Sequence, residues 1–343
     1  MIRGGPTDPG LVPVLPPDTM RRTTSMVISS PDGFTAPLHL RATAVDQYRS
    51  GAGSVMTLRE AGLTALLDRW TCRVATLAVQ PTHALTDELV GLSARHGFRA
   101  ELRRVVAGLP EGDLRVQLLD DMPGSTIVGD YPSLREGVNL PSETTSSDRH
   151  LAMTDVCAGW SSQGEAITAV RMRGGGPLLP PHAPVVGSAQ RGVGAVSYSA
   201  MPPSSTRRLR ILDVSVLDSG EFQLNSMFRD SFTILEDDGL EERALHEYTV
   251  RAVLDRTGDR FTESAATAHV LPWYECPGAV ASAGRLVGRR PSELRKLISL
   301  TFNGTSTCTH LNDTLRSLAD SSVLARELLV LASAAGSLGE SPR

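Results

Sequence analysis

Two stretches of this chain return, in order and at almost the same offset, in its second half. Residues 71–81 (TCRVATLAVQP) align without a gap to 262–272 (TESAATAHVLP), an offset of 191, and residues 101–121 align with 293–313, an offset of 192. Thr71, Ala75, Thr76, Val79 and Pro81 meet identical partners in the first alignment. Glu101, Leu102, Arg103, Gly112, Leu119 and Asp121 do so in the second, giving 11 identities in 32 positions where about two are expected by chance. Weaker echoes run upstream, LRATAVD at 40–46 against TVRAVLD at 249–255 and RRTTSMVISSPDG at 21–33 against FRDSFTILEDDG at 228–239. A duplicated chain must bury the same kind of face twice. With 343 residues, 41% of them hydrophobic, two units of ordinary size are accommodated.

Periodicity fills in the units. Strand-like stretches at 36–46 and 68–80 precede helical spacing at 84–95, 99–107 and 113–122, and strand-like stretches at 211–217, 244–255 and 260–271 precede helices at 277–288, 291–301, 308–320 and 322–335. The expected fold is α+β, an internal duplication of a small antiparallel-sheet-plus-helices unit, with the two units packed together. Residues 1–19 are expected to form a flexible N-terminal segment, with Met20 an alternative start. Residues 20–125 make a degenerate first repeat. Residues 126–210, rich in Pro and Gly, form a connection with a hairpin at 151–172, residues 211–322 carry the second repeat, and 323–343 form a C-terminal helix and tail. A net charge of −4 and 4% aromatic residues speak against a nucleic-acid partner, and no apolar run is long enough to cross a membrane. A cytoplasmic protein acting on a small-molecule substrate is expected; the oligomeric state is not legible.

The chemistry gathers in the second copy. Tyr274-Glu275-Cys276 stands where the first copy has His83-Ala84-Leu85, and Cys308-Thr309-His310 where it has Val116-Gln117-Leu118. Cys276 precedes Pro277, a residue favoured in the first helical turn, and Cys308 opens a helix after a Thr-Ser-Thr run. Both sulfurs are therefore expected at helix starts, where the dipole favours a thiolate. His310 follows two residues after Cys308. Strand alternation puts His246 and Tyr248 on one face and Glu247 on the other, and Asp230 in FRDS is close enough in the repeat to join them. His246, Cys276, Cys308 and His310 are candidate ligands for one zinc or iron ion. Asp230, Glu275 and Tyr248 are candidate acid–base groups, and Arg229 is a partner for Asp230 or for an acidic ligand. Cys72 and Cys157 read as core thiols. The expected activity is metal-assisted lyase, isomerase, cyclase or hydrolase chemistry; the alternatives are an iron–sulfur or sulfur-handling accessory protein and a non-catalytic small-molecule-binding module.

The motifs CTHLNDTLRSLAD, LPWYECPGA, ALHEYTV and MRRTTS resemble the bacterial family called domain of unknown function 2889, over most of residues 20–322. That resemblance implies an ordered protein and no particular activity. More distantly, residues 244–320 look like the scaffold proteins of iron–sulfur cluster assembly, the IscU/NifU type. Cys276, Ala279, Ala281 and Ser282 match that family's C-x-x-A-x-A-S element, Leu286-Val-Gly-Arg serves for its L-x-x-G, and Cys308 with Leu311 matches its last Cys. His246 stands in place of the family's remaining Cys and Tyr248 in place of its Asp. This resemblance implies a strand meander, helices and a metal or iron–sulfur cluster site, and the altered ligands fit a fixed mononuclear metal better than a transient cluster.

Overall fold

Strict alternation marks the stretch 38–49 as a strand. In LHLRATAVDQYR, Leu38, Leu40, Ala42, Ala44 and Tyr48 are buried, while Arg41 and Thr43 between them are exposed. The computed structural model describes residues 5–136, 146–173, 183–187, 193–196, 198–237 and 239–339; much of the Pro/Gly-rich connection, including most of RGGGP, lies outside them. Eight strands, β1 (Thr19–Ser29), β2 (Leu38–Arg49), β3 (Val55–Leu67), β4 (Val74–Gln80), β5 (Ser205–Val216), β6 (Phe222–Glu236), β7 (Gly239–Leu254) and β8 (Phe261–Val270), form one antiparallel sheet. Their order is β4-β3-β2-β1-β5-β6-β7-β8. Each half is a four-stranded meander, and the halves join through β1 and β5, paired from Thr19↔Ser215 to Ser29↔Ser205. The fold is α+β as expected, but the two sheets are continuous edge to edge.

Eight helices are described: α1 (Phe98–Val105), α2 (Leu114–Val128), α3 (Tyr131–Arg135), α4 (Ser146–Leu151), α5 (Glu165–Arg173), α6 (Leu294–Thr301), α7 (Thr309–Ser317) and α8 (Ser321–Gly339). Helix α2 packs on β1, β2 and β3, α7 on β6 and β7, and α8 on β1 and β5. They enclose two apolar cores. One joins Met26, Leu40 and Leu63 to Phe98, Leu118 and Met122, and the other joins Met20, Phe228 and Tyr248 to Leu294, Leu311 and Leu324.

Several expectations need correction. The segment at 84–95 holds only a 3-10 turn, Ala84–Thr86, and 277–288 becomes a 3-10 helix over Cys276–Leu286. The hairpin at 151–172 is instead helical, with α4 and α5 around a short 3-10 turn at Ala158–Trp160. Residues 5–15, expected to be flexible, are tied down. The Leu271 amide donates to the Pro6 carbonyl at 2.9 Å and the Asp8 amide to the His269 carbonyl at 3.0 Å. The Gly10 amide donates to Glu247 at 2.6 Å and Arg21 to the Pro13 carbonyl at 2.8 Å. This strap crosses the sheet on the side away from the helices. There Arg229 pairs with Glu247 at 2.7 Å, and so with neither Asp230 nor a ligand.

Between sheet and helices runs a chain of buried ion pairs. Arg22 of β1 grips both oxygens of Asp46 at 2.8 Å and reaches Asp320 at 2.6 Å. Asp320 binds Arg295 at 2.9 Å, and Arg295 leads past Asp120, itself bonded to Arg316, to Arg99. Arg99 binds Asp313 at 2.5 Å, Asp313 binds Arg208 at 2.8 Å, and Arg208 grips both oxygens of Asp230 at 2.8 Å. Gly124 makes room for it: a Cβ there would lie 1.9 Å from the Arg208 guanidinium and 2.0 Å from the Asp313 carboxylate. The preceding Pro123 and this glycine make poor helix interior residues, but α2 must pass this close to the ions. Removing one member of such a chain strands a buried charge, which costs about 3–5 kcal/mol. Arg22→Leu is therefore expected to lower the unfolding free energy by about that amount in urea denaturation, and Arg326→Ala, which loses only the exposed pair with Glu111, to leave it within about 0.5 kcal/mol.

Candidate functional site

Strand β6 changes register with β7 between Asp230 and Ser231. The bulge sets Asp230 opposite His246, on the helix-covered face. Tyr248 shares that face, while Glu247 points to the strap, as strand alternation requires. From above, α7 begins after the turn at Gly304 (φ 72°), with Cys308 as its extended N-cap residue and His310 in its first turn. The imidazoles of His246 and His310 stack with centroids 3.6 Å apart. His246 Nδ1 lies 3.9 Å and His310 Nε2 3.7 Å from the same oxygen, Oδ2 of Asp230. Among the described residues neither nitrogen has a hydrogen-bond partner, although both are buried. Among the described residues this trio is the group of three whose ligand atoms all lie within 4.8 Å of one another. Cys276 and Cys308 stand outside that group, though Cys308 Sγ is 3.9 Å from His310 Nδ1.

The same face opens into a pocket. Cys157, Cys276, Cys308, His246 and His310 line its inner end, and Trp160, Trp273, Tyr131, Leu134, Leu245 and Val128 line its walls. It lies where the end of α2 and α3, from the first half, meet the connecting segment and β7 and α7 of the second. The Ala158 amide donates to the Thr307 carbonyl at 2.9 Å, anchoring the connection beside α7. Gly159 lets the Cys276 thiol approach: a Cβ there would sit 2.6 Å from Sγ. Cys157 thus joins the site from outside the repeats. Cys72 is buried in the turn before β4, with φ 53°.

Tyr248 and Glu275 sit behind the pocket wall. The Tyr248 hydroxyl faces the Cys308 and Cys276 sulfurs and is otherwise without a partner among the described residues. Glu275 Oε1 accepts from the Glu165 amide at 2.9 Å, which caps the start of α5.

Burial dominates the electrostatics. It pushes the Cys308 thiol up to about 11, with Cys157 as a neighbour of like sign, and pushes Cys276 well above the ordinary thiol range and Cys157 above it. The thiolates expected at the helix starts are therefore thiols, because the desolvation of a buried anion outweighs the helix dipole. Burial likewise carries His310 down to about 3, helped by Arg208, and His246 well below its usual value, helped by His310. Tyr248 is pushed well above 10 by burial and by the sulfurs. Both imidazoles are neutral at pH 7, as metal ligation requires.

Because these histidines take up protons near pH 6.5 only when the chain unfolds, stability is present in full above that pH and is lost as pH falls from about 6.5 toward 3. The slope is at most about 1.4 kcal/mol per pH unit for each histidine, with carboxylates adding their own dependence below about pH 5. Denaturation of the metal-free protein at pH 6.5, 5.5 and 4.5 should show this decline, and His310→Gln should make it shallower. An unchanged slope in the variant would show that His310 is not held neutral.

None of the described helices is long and apolar enough to cross a membrane. No curated protein and no solved structure matches the chain. Residues 206–324, which run from β5 into α8 and carry Asp230, His246, Cys276, Cys308 and His310, match the model of a family described as protein of unknown function (DUF2889).

Proposed function

We propose that this protein is a metal-dependent enzyme in which Asp230, His246 and His310 hold one zinc or iron ion at the inner end of the pocket, next to a small organic substrate. The observation that carries this reading is the pair of unpartnered imidazole nitrogens aimed at one carboxylate oxygen. A buried polar atom left without a partner costs about 1–3 kcal/mol, and a cation between the three would satisfy both nitrogens. Ligand atoms each ~2.1 Å from a tetrahedral ion stand roughly 3.4 Å apart; the carboxylate–imidazole separations of 3.7 and 3.9 Å are close to that, and the stacked rings, inclined by 15°, would have to tilt for both lone pairs to meet one ion. Arg208 orients the carboxylate and leaves a lone pair on Oδ2, the outer support a metal ligand needs. Such an ion would serve as a Lewis acid, polarising water or a carbonyl for lyase, isomerase, cyclase or hydrolase chemistry.

The first half supports the reading that the molecule arose by duplication and kept one site. Arg22 and Asp46 pair across β1 and β2 as Arg208 and Asp230 do across β5 and β6, and each Asp is followed by a bulge. Opposite Asp46, however, stands Arg59, bonded at 2.6 Å, where Asp230 faces His246. The first-half carboxylate is saturated by two guanidiniums. The second has one guanidinium and two neutral imidazoles.

A second reading, an iron–sulfur or sulfur-handling role, draws on the three thiols of Cys157, Cys276 and Cys308 at the same pocket. Elemental and acid-labile sulfide analysis of protein purified without oxygen separates the two. One zinc or iron per chain without sulfide is expected, with His246→Ala and His310→Ala each weakening metal binding at least 100-fold and Asp230→Asn at least 10-fold. Metal retained in both histidine variants but lost in Cys276→Ser and Cys308→Ser would overturn the assignment in favour of the thiols.

A further inference from the structure

The pocket encloses about 160 Å³, close to the ~150 Å³ of an apolar cavity that accepts benzene. Its walls are ring-shaped and apolar: Trp160, Trp273 and Tyr131 with Leu245 and Val128. Flat faces of this kind favour offset or edge-to-face contact with another ring. The polar lining consists of His246, His310, Thr309, the thiols and Asp130. Among the described residues no arginine or lysine lines the pocket. Its one carboxylate, Asp130, already binds Arg69 at 3.0 Å and Arg95 at 3.2 Å. An anionic ligand would thus meet apolar walls, a carboxylate and neutral imidazoles, with nothing of its own to neutralise it.

We propose that the substrate is an uncharged molecule built on a single aromatic ring, carrying a hydroxyl or carbonyl oxygen that points at His246 and His310. The proposal rests on the reading that this pocket is the substrate site, but not on the ion being present. A ring of this size fills the volume, and its oxygen can meet the polar groups that line it, the imidazoles of His246 and His310 and the hydroxyl of Thr309.

The test uses the metal-free full chain and phenol, with benzoate as the anionic control at pH 7.5. Trp160 and Trp273 flank the pocket, so ligand entry should change their emission, while Trp70 is exposed elsewhere. Phenol is expected to bind with 1:1 stoichiometry, and benzoate at least 10-fold more weakly. Met153→Trp, which fills the pocket from its wall, and Ile127→Trp, which narrows its rim, should each weaken phenol binding at least 10-fold while the metal titration stays unchanged; two positions are used so that one folded variant suffices. Benzoate binding as tightly as phenol, no phenol binding at all, or phenol binding undiminished in a folded variant would overturn the proposal. Phenol binding without any metal binding would instead overturn the metal-centre reading and leave this one standing.

Discussion

The whole molecule is organised around a line of ion pairs that is buried at both ends and half-buried at Arg99 and Arg295. From Asp46 through Arg22, Asp320, Arg295, Asp120, Arg99, Asp313 and Arg208 to Asp230, acid and base alternate between the central strands and the helices above them. The line separates two apolar cores and fixes how the helices sit. Helix α2 approaches through Gly124, α7 brings Asp313, and the turn into α8 brings Asp320. Buried charges of this kind are weak evidence for stability but hold a specific geometry. Asp230 is the last member of the line. Its position is therefore set by contacts that reach across both halves of the sheet, and the stacked histidines inherit that position.

The two ends of the line differ in what surrounds the carboxylate. At Asp46, the guanidinium of Arg59 takes the outer oxygen, and Glu327 takes the other side of Arg59 at 2.7 Å. At Asp230 the cross-strand partner is His246, shorter and neutral, and a second imidazole arrives from α7. Replacing a long cation by two neutral rings removes the hydrogen bond and leaves lone pairs facing inward. The pocket then gives this end access that the Asp46 end lacks.

Much of this was legible in the sequence where periodicity and local chemistry coincide. Residues 71–81 and 262–272 fall on β4 and β8, and 101–121 and 293–313 fall on α1–α2 and α6–α7, so the two stronger alignments map to corresponding elements. Gly112 and Gly304 both take positive φ, 76° and 72°. The upstream echoes do not correspond: LRATAVD lies on the second strand of its half and TVRAVLD on the third of the other. Strands β1, β3 and β6 went unread for physical reasons. On β1 and β6 both faces are covered, so alternation disappears, and the ionic layer puts Arg, Thr, Ser and Asp where a strand pattern expects apolar residues. Cys157 was out of reach for another reason, since its segment contributes by a long-range contact with α7 that no local pattern encodes. The thiolate expectation failed because helix position is visible in a sequence and depth of burial is not.

Burial also decides what kind of chemistry this pocket can support. Desolvation leaves the imidazoles neutral and the thiols protonated, and Arg208 balances Asp230, so the inner end of the pocket carries almost no net charge. A divalent cation placed there brings charge that the protein does not offset. In so dry a site the cheapest compensation is to lose a proton nearby, from water, from Cys308, or from a hydroxyl on the bound ring. An uncharged substrate that enters through apolar walls and becomes anionic only at the histidines satisfies both requirements at once. If the proposed ion is present, the apolar walls and the cation would favour the same ring-bearing hydroxyl compound, one before and one after it gives up its proton.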